Sequence, residues 1–384
     1  MTTVTPGIRF HSGSLRVSAE DVHTTPLGYD RESVPAGAPL RLAPSAELVH
    51  RLSGCGEVVV DFEGKLGDTL LALSGVRAVL DWLRLRSVHV AVRAVGPYAR
   101  LVARTGLITQ PQSTGPTGEQ LVIGDRAGVE AQGLTAAVNL VLDPAAPPCW
   151  STDGRAHPDL PARHYLALER RLGTHLPATA PFAPTLATRP ATLPEELRAA
   201  GWLGDLNVAA ITATSWPERK DYTAQRFITL TEHLAEARRT QARLLLIGGN
   251  PGGGVRIAAE APGRHVRVLH LDGVSADHLA DLFPHCHLVV GNDTGLTHLA
   301  AMARGGEGNG PPVVGLYARH SHSKWRTGLP NHHAVATNLS DRMHQGDLCP
   351  VRDAITQDTG VHMEVFPPAA LAQVVLDLLA GERL

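Results

Sequence analysis

From about residue 58 onward, short apolar runs alternate with longer amphipathic stretches. Residues 58–61 read as a buried strand. Residues 68–84 read as a helix, because Leu70, Leu73, Val76, Leu80 and Leu83 recur at three- and four-residue spacing and share one face. Further strands are expected at SVHVAV (87–92), QLVIG (120–124) and VNLVL (138–142). A second series follows: NVAAITA (207–213), a helix over 223–239, RLLLIGG (243–249), VRVLHL (266–271), a helix near 275–283, HLVVG (287–291), a helix from Thr294, and PVVGLY (312–317). A last helix over 368–380 gathers Leu371, Val374, Val375, Leu378 and Leu379 on one side. Strand and helix in regular alternation predict an α/β chain with parallel sheets.

The two series are separated by PATAPFAPTLATRPATLP (177–194), whose proline content and lack of period mark a linker. The expected organisation is an extension over 1–54 holding at most a short hairpin, a domain over 55–176, the linker, a second domain over 195–366, and a C-terminal helix over 367–384. Two such halves suggest Rossmann-like domains facing a cleft, with ligands at the carboxyl ends of the strands.

Composition narrows the function. A net charge of -2 over 384 residues, with no basic stripe, argues against a nucleic-acid partner. The four cysteines form no CxxC pair, so a zinc ribbon or thioredoxin motif is absent and reduced thiols are expected. No apolar run approaches the ~20 residues that span a bilayer, and the start of the chain has no signal-peptide pattern, so a cytoplasmic protein without stable membrane insertion is expected. Of the 35 basic residues only Lys65, Lys220 and Lys324 are lysines. The bias itself reflects a GC-rich coding sequence; its three exceptions fall in segments that carry chemistry.

The first such segment is DFEGKLGDTLLAL. Asp68 there is either a helix N-cap or a carboxylate able to take a proton from an acceptor hydroxyl. Gly64 and Gly67 would let a substrate approach the backbone, and Lys65 is either a solvated loop residue or part of the acceptor side. The second is ITATSWPERKDY, where Thr212, Thr214, Ser215 and Lys220 suit a bound phosphate, the hydroxyls as donors and the ammonium as a point charge. The third is GNDTGLTHLAA. Asn292, Asp293 and Thr294 mark a helix start, Gly295 leaves room for a ligand, and the helix's first N–H groups favour a diphosphate. Asp293 is alternatively a cap, and His298 a packed interior histidine.

Other segments carry weaker signals. GGNPGGG, with Gly249 and Asn250, does not fit GxGxxG cleanly and reads as a nucleotide-facing loop rather than a nicotinamide site. The histidines of ARHSHSKWRTGLPNHH lack metal-ligand spacing and read as surface or substrate-contacting side chains, and HCH (285–287) is a poor zinc candidate. No GxSxG elbow supports a serine hydrolase.

GDTLLAL, WPERKDYTAQRF and GNDTGLTHLAA, in this order and spacing across residues 57–380, resemble glycosyltransferase family 9, the ADP-heptose heptosyltransferases. The resemblance implies a GT-B fold and inverting, metal-independent transfer of a heptose or related sugar, with no cofactor beyond a nucleotide-sugar co-substrate such as ADP-heptose. It makes Asp68 the base, sets Lys220 and the Thr212–Ser215 hydroxyls against the departing diphosphate, and gives Asp293, Thr294 and Gly295 the sugar and diphosphate, with His298 in support. The acceptor is either a soluble natural-product scaffold such as an aminoglycoside or a lipopolysaccharide core. A GT-B nucleotide-sugar epimerase and a non-catalytic nucleotide-sugar-binding protein are the competing classes. The chain departs from the family at Ser74, where proline is usual, in the glycine-rich stretch 304–312, and at YARHSHSKWRTG, which replaces a Gly-Pro-Thr-type loop and where Lys324 could supply phosphate contacts. The acidic residue usual near the ribose is replaced by the Asn250 region. Oligomeric state is not readable.

Overall fold

The structure, a computed structural model, describes residues 8–11, 14–17, 37–108, 119–125, 140–141, 148–152, 154, 156–187, 189, 197, 199, 201–202, 204–248, 256–260, 263, 265–305, 308–318, 320–337, 340, 343–344, 363 and 366–381. The chain divides into a smaller unit, Pro35–Ala187 with Trp325–Leu329, and a larger one, Met1–Val34, Thr188–Lys324 and Pro330–Leu384. The first described strands, β1 (Ile8–His11) and β2 (Ser14–Val17), form an antiparallel hairpin that belongs to the larger unit.

The smaller unit holds α1 (Ala46–Ser53), β3 (Cys55–Asp61), α2 (Leu66–Leu85), β4 (Ala91–Val95), β5 (Glu119–Gly124), β6 (Leu140–Val141) and α3 (Leu160–Leu172). Its strands make a parallel sheet in the order β4-β3-β5-β6. Helix α2 is apolar on more than one face, and nearly all of Thr69–Leu83 is buried. A helix of that kind must be covered on both sides, and α3 packs along it. The two are pinned by a buried hydrogen bond from Tyr165 Oη to Asp81 Oδ2, 2.9 Å. The sequence pattern does not predict helix α3, because Arg163, His164 and Glu169 interrupt its apolar positions; all three are buried. Its ends are conventional. Asp159 caps the Ala162 N–H at 3.0 Å, and Gly173 closes the other end in the left-handed region.

Two expectations shift here. The strand expected at 87–92 lies at Ala91–Val95. Residues 83–88 instead finish α2: the Val88 N–H donates to the Leu83 carbonyl and Ser87 takes a left-handed φ of 55°, a helix-ending turn. Of the strand expected at 138–142, Leu140–Val141 is a strand and the other residues lie outside the described ones. The stretch 1–54 contains α1 as well as the hairpin.

The larger unit holds β7 (Leu206–Ile211), α4 (Ala224–Arg238), β8 (Ala242–Ile247), β9 (Arg256–Glu260), β10 (Val266–Asp272), α5 (Ala276–Leu282), β11 (Leu288–Asn292), α6 (Gly295–Met302), β12 (Val313–Tyr317), β13 (His332–Ala336) and α7 (Pro368–Gly381). One nine-stranded sheet runs β1-β2-β13-β12-β11-β7-β8-β10-β9. It is parallel from β2 through β10, with β1 and β9 antiparallel at its two edges. Val208, Leu244, Val268, Val290, Leu316 and Val335 from its strands share one core with Leu230 and Leu234 of α4 and Leu371, Val374, Val375, Leu378 and Leu379 of α7. Each such side chain contributes roughly 1.5–3 kcal/mol on burial. Among the described residues no helix is long and apolar enough to cross a membrane.

Candidate functional site

In the larger unit, β12, β11 and β7 are neighbours in the parallel sheet. The segments leaving their carboxyl ends therefore emerge side by side, where open α/β sheets bind ligands. One chemistry-bearing residue comes from each: His320 after β12, Asp293 after β11, Lys220 after β7. Asp293 Oδ2 lies 3.1 Å from Lys220 Nζ and also accepts a hydrogen bond from His320 Nδ1. Burial by itself would push the Asp293 carboxyl up. Lys220, His320 and His298 outweigh it and hold the group well below the usual carboxylate range. Asp293 is thus a fixed anion with cationic or N–H partners and not the cap of α6. The Ncap position belongs to Thr294, whose side chain makes no cap hydrogen bond.

The neighbouring Asn292 is the last residue of β11 and fully buried. Its Nδ2 donates to the Thr212 carbonyl at 2.8 Å, and its Oδ1 accepts from the Tyr222 N–H at 2.9 Å. One amide therefore ties the end of β11 to both ends of the segment that carries Lys220. Before it, Gly291 allows α6 to close in: a Cβ there would sit 2.2 Å from Thr297 Oγ1, which donates to the Asn292 carbonyl at 2.6 Å.

The hydroxyls of that segment are used internally. Thr212 Oγ1 donates to the Ile247 carbonyl at 3.0 Å, and Thr214 Oγ1 to Asp221 Oδ1 at 2.6 Å while accepting from the Trp216 N–H. Each hydroxyl has one proton to give, so these two shape the loop around Lys220; Ser215 is exposed. His298 is buried, its ring centroid 5.7 Å from that of His332, and its Nδ1 has no hydrogen-bond partner among the described residues. Burial first, then the Lys220 charge, against the opposing pull of Asp293, bring it down to about 4, so the ring is neutral near pH 7. Lys324 is also buried, its N–H donating to Ser321 Oγ. The histidines around it, expected at the surface or against substrate, are interior: His320, His322, His332 and His333 are all buried. Gly249 and Asn250 lie outside the described residues.

In the smaller unit, Asp68 is the third residue of α2 and exposed. It is not the N-cap either. Lys65 holds that position, exposed and without a side-chain cap bond, and Gly67 lies within the first helical turn. The loop between β3 and α2 is shaped from outside. Asp125, directly after β5, accepts from the Glu63 N–H at 3.2 Å and the Gly64 N–H at 2.6 Å, and Tyr98 Oη donates to the Gly64 carbonyl at 2.9 Å. Burial, then the negative charges of Asp125, Asp68 and Glu63, push the Tyr98 hydroxyl up. Gly96 is required beside this loop: its φ is +76°, and a Cβ would lie 2.6 Å from Asp61 Oδ1. Among the described residues no group of three or more His, Cys, Asp or Glu side chains is arranged to hold a metal ion.

Residues 163–353 match the family model for glycosyltransferase family 9 (heptosyltransferase), a span that contains Lys220, Asp293 and His320. Over those residues the chain belongs to glycosyltransferase family 9. Solved structures share the fold of this glycosyltransferase at low identity. A family 9 glycosyl transferase from Veillonella parvula is 13% identical with a TM-score of 0.55, covering 85% of this chain and 97% of its own. The E. coli ADP-heptose lipopolysaccharide heptosyltransferase II is 16% identical with a TM-score of 0.51, covering 86% and 100%. The E. coli heptosyltransferase WaaC, solved with ADP, is 13% identical with a TM-score of 0.51, covering 84% and 99%. No curated protein sequence matches the chain closely enough to count as a relative. Its fold is thus the GT-B fold that the resemblance implies. Two positions that hold its site together, Asn292 and His320, carried weak sequence signals: Asn292 looked like a helix-start marker, and His320 was one histidine among several.

Proposed function

We propose that this glycosyltransferase moves a heptose or related sugar from ADP-heptose, or a similar nucleotide sugar, to an acceptor hydroxyl, with inversion and without a metal ion. The observation that carries the proposal is the Lys220–Asp293 ion pair at the entrance to α6, its side chains 14% and 10% exposed. As the glycosidic bond breaks, negative charge grows on the diphosphate. Lys220 and the first N–H groups of α6, which no helix satisfies internally, are preorganised to meet it. Thr294 and Gly295 leave that helix end open to the phosphates, Asp293 accepts from sugar hydroxyls, and His298, one turn into α6, supports them. Lys324 serves the donor side through its own loop.

Asp68 removes the acceptor proton. Its exposure at the start of α2 leaves it reachable, and the inverting attack needs one such base. Lys65 and Gly67 flank it on the acceptor side. The carboxylates Glu63, Asp68 and Asp125 along this edge favour a soluble cationic scaffold, such as an aminoglycoside, over a lipopolysaccharide core.

A thermal-shift panel of ADP-, GDP-, UDP- and TDP-sugars tests the donor. ADP-heptose is expected to stabilise the protein most, and a clear preference for a non-ADP donor would refute the assignment. Transfer to aminoglycosides in excess EDTA, with the product's anomeric configuration read by NMR, tests the rest. Retained configuration or a strict metal requirement would count against it.

A further inference from the structure

Asp293 receives two donors on the same oxygen. Oδ2 takes Lys220 Nζ at 3.1 Å and His320 Nδ1, and the three side chains are only 10%, 14% and 7% exposed for Asp293, Lys220 and His320. An ionised carboxylate only accepts hydrogen bonds, so the imidazole Nδ1 facing it carries the hydrogen. His320 is itself anchored. Ser340 Oγ donates to its carbonyl at 2.5 Å, and β12 runs in register beside β11, Leu316 opposite Asn292.

We propose that His320 is a positioning residue of the donor site, holding the Asp293 carboxylate so that Lys220 shares it rather than being wholly drawn to it. With His320 in place, Oδ2 is split between two donors and the plane of the carboxylate is fixed. The remaining N–H groups of Lys220 then stay available to a diphosphate. Without it, the carboxylate turns toward the ammonium as its sole strong partner and pulls Lys220 away from the phosphates. The inference rests on the assignment of Lys220 and Asp293 to the donor.

The test uses full-length His320→Leu and His320→Asn, with ADP binding measured by calorimetry and thermal midpoints recorded beside it. The asparagine amide nitrogen overlays the histidine Nδ1 and can donate to Asp293; leucine cannot. Since a hydrogen bond to a charged group is worth more than a neutral one, His320→Leu should weaken ADP binding about tenfold, while His320→Asn stays within about threefold of wild type. A folded leucine variant that binds ADP like wild type, or an asparagine variant as weak as the leucine one, overturns the role. If leucine prevents folding, His320→Ser, too short to reach Asp293, takes its place in the same comparison. Lys220→Met and Asp293→Asn separate the two levels. Wild-type ADP affinity in both would sink the donor assignment and the role of His320 with it, whereas loss in these two and none in His320→Leu would sink the role of His320 alone.

Discussion

Asp68 and Asp293 stand at the same kind of place, an aspartate where a parallel strand hands over to a helix, one in each unit. Their surroundings are opposite. Asp68 is exposed in the first turn of α2, where the helix dipole favours its negative charge. Asp293 is buried, one residue before the cap of α6, with Lys220 and His320 on a single oxygen. The first is suited to take a proton. The second is held ionised by its neighbours and is suited to hold a cation and a sugar in place. The motif letters alone, GDT and NDT, do not distinguish these two settings; burial and partners do.

The sharpest way to break this comparison is Asp68→Asn. A lost general base should cost turnover roughly 10²–10⁴-fold, while ADP affinity stays at the wild-type value and stability falls by no more than about 1 kcal/mol, the share of the helix dipole. An unchanged rate would remove Asp68 from the chemistry. Asp293→Ala should act on the fold, because it strands Lys220 in a buried site. Destabilisation of about 3–5 kcal/mol in a denaturant titration is expected, and equal stability of the two aspartate variants would erase the contrast.

His298 gives a pH handle on the buried side. Its folded value near 4 lies below the unfolded value near 6.5, so between those pH values the unfolded chain binds a proton that the folded one does not. Stability therefore falls as pH drops from about 6.5 to 4, by at most about 3 kcal/mol from this residue. His298→Asn should flatten that part of the stability curve, and a variant with wild-type pH dependence would show that the ring titrates normally. Smallest is Lys220→Arg. It keeps the charge but replaces a compact ammonium with a planar fork, and about a tenfold loss of turnover, ~1.4 kcal/mol, is expected; full activity would mean that charge alone matters at this position.

Much of the fold was legible because its strands are buried on both faces and read as continuous apolar runs, as in 207–211, 243–247 and 288–291. What escaped was polar yet buried. Strand β13 begins with His332 and His333, which hide an apolar pattern even though the whole strand is interior. Helix α3 hides its buried face behind Arg163, His164 and Glu169. In the site, Asp293 and Lys220 were legible as residues but not as a pair, since 73 positions separate them and only the adjacency of β7 and β11 brings them together. The Thr212 and Thr214 hydroxyls were legible as donors, but what they donate to depends on Asp221 and the Ile247 carbonyl.

The β1–β2 hairpin bears on how this protein comes off the ribosome. Ser14 pairs with Ala334, about 320 residues downstream. At 5–20 residues per second, strand β2 is made on the order of half a minute before its partner β13 exists. Until then the hairpin has an open edge, and β12 lacks its neighbour on that side. The smaller unit, whose paired strands lie far closer together in the chain, can close its sheet in the meantime. Completion of the larger sheet is thus a late event in synthesis, and it requires an early segment of the chain to be kept from pairing elsewhere.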